Sequence, residues 1–212
     1  RGRAGDAGIS AVALPHRAYD RRDAFDGALI RVIERHEPDL VVLAKGIGSG
    51  YIPLGIMLAP AHMVDELSGL TGFNYGHTSN ANPLACAVGL ATLEELEERK
   101  LIENAASTGR YLMERMRALS DECPIIGDVR GLGLLQATEI VTDKQTKETF
   151  SAEAKAPDTL RRMGLDFGLG LYARRTNNGQ YGDWVMTSPP LITTTDQVDE
   201  MVDRFGQLFT AF

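Results

Sequence analysis

Three apolar residues, Val41, Val42 and Leu43, lead through Ala44 to a single lysine, Lys45, and Gly46, Gly48, Gly50 and Gly55 follow within ten residues. An ammonium group withdrawn from water is costly to keep charged, so the pKa of a buried lysine falls and its neutral amine becomes a nucleophile. Such an amine attacks aldehydes, that of pyridoxal phosphate among them, to form a Schiff base. Glycines after it let backbone come close to a flat ligand or turn sharply. A lysine at a strand end can equally rest with its amine in water, and strand–lysine–glycine alone does not decide between the two. A second stretch, Tyr75 to Pro83, sets His77, Thr78, Ser79 and Asn80 just before a helix start, with Asn82 as cap and Pro83 in the first turn. Hydroxyls and free N–H groups at a helix N-terminus suit a phosphate. An ordinary capping loop would have the same composition.

The elements that must position these groups follow from periodicity. Residues 39–44 read as a buried strand by length, β-branching and flanks, and 53–60 as a second apolar strand. Short helices are expected over 28–36 and 60–67. A helix of small and apolar residues should run from Pro83 to about residue 98, and a second one over 101–119, with Leu101, Ala105, Leu112, Met116 and Leu119 at helical spacing. Residues 128–140 read as a turn into a strand. Residues 152–168 read as a helix that truly starts at Pro157, and 169–174 and 183–189 as strands. An amphipathic helix over 195–211, capped by Thr194 or Thr195, closes the chain. Helices and strands alternate irregularly, so the class is α/β or α+β.

The 212 residues carry a net charge of −7, with 43% apolar and 24% charged side chains. No basic stripe interleaved with aromatics points to nucleic acid, and no apolar run approaches membrane length. Cys86 and Cys123 lie far apart and lack metal-ligand spacing, which makes a reducing cytoplasm the expectation and a metal site unexpected. Residues 1–18 show no apolar core of a secretory signal. Cys86 and Met116 read as packing residues, His77 as a loop hydrogen-bonder and Arg130 as structural.

Taken together, "PDLVVLAKGIGSGYIPLG" and "GHTSNANPLACAVGLATLEELEE" resemble the cofactor-lysine segment and the "GHTYSGNPLACA" stretch of class III (ω-type) aminotransferases. "VRGLGLLQATEI" and "SPPLITTTDQVDEMVDRF" are similar to the opening strand and the closing strand and helix of that family's small domain, so the resemblance covers about residues 34–212. It implies the C-terminal part of a fold-type I pyridoxal-phosphate enzyme. Residues 34–105 would be the tail of a large, mostly parallel-sheet domain, and 106–212 a small α/β domain. It implies that Lys45 holds pyridoxal 5'-phosphate as a Schiff base and later moves the proton of transamination. Thr78 would donate to the cofactor phosphate, across a homodimer interface. Arg174, in "GLYAR", falls where several ω-transaminases keep an arginine for the substrate carboxylate, a task suited to bidentate pairing. Its neighbour Arg175 leaves the choice between the two open.

The chain also departs from the family pattern. Neither a Gly/Ser phosphate loop nor a ring-stacking aromatic residue preceding the lysine region is found in it. Where the family carries Asp-Glu-Val, whose aspartate pairs with the ring nitrogen, this chain has "ALPHRAYD", and Asp20 is a poor substitute. Ser79, Asn80 and Ala81 stand where Tyr, Ser and Gly are common. Residues 1–33 do not match the family, and the Arg/Ala/Gly/Asp bias of residues 1 to about 30 is what out-of-frame reading of a GC-rich gene would give. The expected function is amino transfer between an amine or ω-amino acid and a keto acid, with little activity from these 212 residues alone. A decarboxylating transaminase, an aminomutase or a non-catalytic fragment that only folds or pairs are the alternatives. The strands at 39–44 and 53–59 are expected to leave an apolar face open, with the C-terminal domain better formed.

Overall fold

The computed structural model describes residue 31 and residues 40–72, 76–180 and 182–212. The segment 1–30 and most of the helix expected over 28–36 lie outside them. The chain divides into two compact units, residues 1–94 and 95–212.

In the first unit, β1 (Val41–Leu43) pairs antiparallel with β2 (Ile56–Leu58), with Leu43 opposite Ile56 and Val42 opposite Met57. A single 3₁₀ turn, Lys45–Gly48, leaves β1 and reverses the chain through Ser49 and Gly50, both at positive φ. Helix α1 (Ala61–Thr71) ends at Gly72, whose φ of 67° stops it. Helix α2 (Pro83–Glu98) starts as its sequence requires: the Asn82 Oδ1 accepts from the N–H groups of Leu84 (3.0 Å) and Ala85 (3.1 Å). The helix lies against the segment after β1 at Gly89, where an added Cβ would stand 2.6 Å from Leu54 Cδ2. The expectation of a buried strand is corrected here. Val42 is 73% and Met57 60% exposed, because no described residue lies over that face of the pair. The open apolar face is as expected, and Leu70, Leu84 and Leu90 are exposed as well. Cys86, expected to pack, is exposed too.

The second unit is a four-stranded antiparallel sheet covered by three helices. Helix α3 (Leu101–Glu122) buries Ala105, Thr108, Gly109, Leu112 and Met116, spaced three and four apart, as an amphipathic helix does. Strands β3 (Ile126–Leu132) and β4 (Leu135–Ile140) follow, then α4 (Ala156–Asp166), β5 (Tyr172–Arg175), β6 (Asp183–Thr187) and α5 (Thr195–Ala211). The strand order is β3-β4-β6-β5. Pro157 sits in the first turn of α4, where its missing N–H does no harm. Thr194, not Thr195, caps α5. Its Oγ1 accepts from the N–H of Gln197 (3.3 Å), while Gln197 Oε1 accepts from the N–H of Thr194 (3.1 Å). Leu112, Met116, Ile126, Ile140, Leu160, Val185, Val198, Phe205 and Leu208 form one continuous core.

Residues 128–140 are not a turn into one strand but most of a tight hairpin, β3 to β4, with Leu132 opposite Leu135. Two glycines close it. Gly133 turns at a φ of 55°, and Gly131, at 152°, leaves no room for a side chain beside Leu135 O and Gln136. The hairpin tip touches α3 backbone to backbone: a Cβ on Gly109 would fall 2.2 Å from the carbonyl carbon of Gly133. The buried Gln136 holds this contact, its Nε2 donating to Gly109 O (2.7 Å) and Gly133 O (2.8 Å). Arg130, expected to be structural, donates from Nη1 to Asp128 Oδ2 at 2.8 Å on the exposed side of β3.

Candidate active site

Lys45 follows an extended Ala44 and takes a left-handed backbone, with φ at 63°. That conformation disfavours a side chain with Cβ by roughly 1–2 kcal/mol. It is imposed by the turn that closes behind it, where Ser49 N donates to Gly46 O (3.0 Å) and Tyr51 N to Gly48 O (2.9 Å). The turn carries Lys45 out of the line of β1, and of the two placements that the sequence leaves open the lysine takes the exposed one. Beside it, a Cβ at Gly46 or Gly50 would meet nothing within 4 Å. Gly50 must be glycine for its φ of 78°. Gly46 keeps open backbone surface directly next to the amine, room that a flat ring can use.

Thr78 lies in the turn that precedes α2, closed by Asn80 N donating to His77 O (2.9 Å) and Asn82 N to Ser79 O (3.3 Å). Its side chain is exposed. The free helix N–H groups proposed for a phosphate are partly occupied, since the Asn82 side chain takes those of Leu84 and Ala85. What the loop offers an anion is therefore above all its exposed hydroxyls, Thr78 and Ser79. Lys45 and Thr78 belong to the same unit, and Gly89 of α2 abuts Ile47 and Leu54 of the lysine segment.

Arg174 and Arg175 are separated by the pleat of β5. Arg175 is committed. Its Nη1 donates to Asp183 Oδ2 (2.9 Å), Asp183 Oδ1 (3.2 Å) and Phe150 O (2.9 Å). Asp183 is only 1% exposed, and burial pushes its carboxyl above the usual carboxylate range against the pull of Arg175. Arg174 points the other way and is exposed. Its Nη1 donates to Tyr172 Oη at 3.1 Å, and its guanidinium carbon lies 5.8 Å from the Tyr172 ring centre. Among the described residues it makes no ion pair. Of the two arginines, Arg174 is the exposed one, whereas Arg175 is half-buried and already paired with a carboxylate. Sequence reasoning missed Asp183. Strand alternation puts Arg174 and Arg175 on opposite faces, but the acid opposite Arg175 shows only in the register of β5 with β6. The structure gathers Lys45 and Thr78 in one unit and Arg174 in the other. Among the described residues no cluster of His, Cys, Asp and Glu could hold a metal ion, and no helix is long and apolar enough to cross a membrane.

Comparison with known proteins points the same way. The model of the aminotransferase class-III family matches residues 32–209. A mitochondrial alanine–glyoxylate aminotransferase 2 homolog of Arabidopsis thaliana is 38% identical over 78% of this chain and 32% of its own length. A putrescine–pyruvate aminotransferase of Pseudomonas aeruginosa is 36% identical over 78% of this chain and 34% of its own. Among solved structures, a transaminase from the marine bacterium Virgibacillus superposes with a TM-score of 0.76 at 28% identity, over 84% of this chain and 41% of that one. An amine transaminase from an uncultivated Pseudomonas species, solved in its pyridoxal-phosphate-bound form, gives 0.71 at 28% identity, over 88% and 48%. The chain thus spans roughly a third of the length of these curated relatives, and its likeness to the solved transaminases is that of part of a fold-type I enzyme. It belongs to the class III aminotransferases, a family dependent on pyridoxal phosphate.

Proposed function

We propose that these residues carry the lysine side of an amino-transfer site, acting between an amine or ω-amino acid and a keto acid. The observation that carries this reading is Lys45 itself, an exposed amine at the end of β1, held in a left-handed backbone beside the open surface of Gly46. The residues fit one end of pyridoxal phosphate. Lys45 Nζ would hold it covalently and Thr78 Oγ1 would donate to its phosphate, within a homodimer as the family resemblance implies. When bound, the cofactor supplies an electron sink for charge that develops at the substrate carbon bearing the amino group. Lys45 Nζ, once free, would be the base that takes the proton from that carbon. Arg174 would orient a substrate carboxylate through its unpaired N–H groups.

The ring-nitrogen aspartate, the phosphate loop and the stacking aromatic residue of the family are not found in the 212 residues, so turnover by this chain alone should be slight. The reading keeps residues 34–105 as part of the cofactor domain and 106–212 as the small domain. A cytoplasmic setting, resting on the free Cys86 and Cys123, belongs to the same proposal. The test is to incubate the chain with pyridoxal phosphate, reduce with borohydride and map the adduct by peptide mass. Selective labelling of Lys45 supports the reading. Labelling spread evenly over the chain's lysines, or none, overturns it.

A further inference from the structure

One face of β5 presents Tyr172 and Arg174, Thr176 follows just after the strand, and Trp184 of β6 stands directly opposite Arg174. The Trp184 and Tyr172 rings are 5.8 Å apart, tilted by 44°. The indole N–H of Trp184 donates to Thr176 Oγ1 at 2.6 Å, which fixes the ring. Tyr172 then holds Arg174 twice, by its hydroxyl at 3.1 Å and by its ring face at 5.8 Å. A guanidinium within about 6 Å of an aromatic face is attracted to it. A solvated arginine has many rotamers to lose when it binds a ligand, and a stacked one has lost part of that freedom beforehand. On the opposite face, the Arg175–Asp183 pair ties β5 to β6 at the register position next to Arg174.

We propose that Tyr172 and Trp184 are positioning residues: an aromatic platform that restrains the Arg174 guanidinium and keeps it ready to receive a substrate carboxylate. The inference rests on the reading of Arg174 as the carboxylate-binding arginine and adds the residues that set its affinity. The Tyr172 hydroxyl accepts from Arg174, so its own proton remains available to donate to one carboxylate oxygen, while the remaining N–H groups of Arg174 serve the other.

Trp184 is the chain's single tryptophan, so its fluorescence reports on this site alone. The probe is glutarate, titrated into the full chain at constant ionic strength. The expected result is a saturable change in emission that Arg174→Gln abolishes. Tyr172→Leu should weaken glutarate binding about two- to fivefold, and Tyr172→Phe, which keeps the ring, by less. Thermal melts of the variants exclude unfolding as the cause. The Arg174 Nε–H order parameter, measured by NMR without ligand, should fall in Tyr172→Leu. Equal affinity and an unchanged order parameter in Tyr172→Leu would overturn the platform and leave Arg174 as the carboxylate site. A response that survives Arg174→Gln, or no response in the wild-type chain, would overturn both.

Discussion

The two units of this chain differ in what they bury. In residues 95–212, a helix-covered sheet seals Phe205 to 2% exposure and leaves Leu112, Ile126, Ile140, Val185 and Leu208 with essentially no contact with solvent. In the described part of residues 1–94, burial is confined to Ala85, Gly48 and Gly89, small residues where α2 meets the lysine segment. Of the residues proposed for the site, Lys45 lies in the sparsely packed unit and Arg174 in the well-packed one. A lysine that works by reaching a ligand can tolerate a thin scaffold, whereas an arginine that must be held at a fixed angle needs a firm one.

The largest expected contrast is in amide hydrogen exchange. Central amides of α3 and α5 should exchange orders of magnitude more slowly than those of β1 and β2, because local opening is cheap where little apolar area is buried. Comparable protection in both regions would erase the distinction. Next in size, Phe205→Ala should lower the stability of the C-terminal unit by about 4 kcal/mol, read by denaturant melts. Val42→Ser, at a 73% exposed position, should stay within about 0.5 kcal/mol. Gly109→Ala should cost about 2–3 kcal/mol, since its Cβ would strike the Gly133 backbone. A neutral result there would mean that α3 and the hairpin can move apart.

The smallest effects are in pH dependence, and two carboxyls of the same unit should act with opposite sign. The N–H and hydroxyl of Thr146, then the N–H of Gln145, hold Asp143 below the usual carboxylate range. Its contribution is present above about pH 3.9 and is lost as the pH falls through the lower folded value. Asp183 is raised by burial. Its contribution is present below about pH 3.9 and is lost as the pH rises through the higher folded value. Stability curves of Asp143→Asn and Asp183→Asn against pH should each lack one of these slopes, and identical slopes in both would refute the assignment.

Much of this was legible from the residues. The Asn82–Pro83 start of α2, the Thr194–Gln197 box of α5 and the spacing of α3 are local signals, and each reappears in the fold. The β3–β4 hairpin was missed because its two turning glycines sit inside an apolar run, where they look like a single loop before one strand. The exposure of β1 was misjudged in its lead-in to Lys45. An apolar, β-branched run announces that a strand should be covered, but not by what. The left-handed backbone of Lys45 has no side-chain signal at all, since it is the following turn that imposes it. Arg174 and Arg175 could not be ranked from spacing alone. Their roles separate only once the register with β6 puts Asp183 behind one and Trp184 beside the other.

The meeting of Gly109 with Gly133 has a consequence for anyone who would re-engineer this scaffold. A crowded side chain can be trimmed, and a neighbour can be enlarged to compensate. Two touching main chains offer nothing to trim. Variant libraries should therefore hold Gly109, Gly133 and Gln136 constant and spend their diversity on exposed side chains elsewhere.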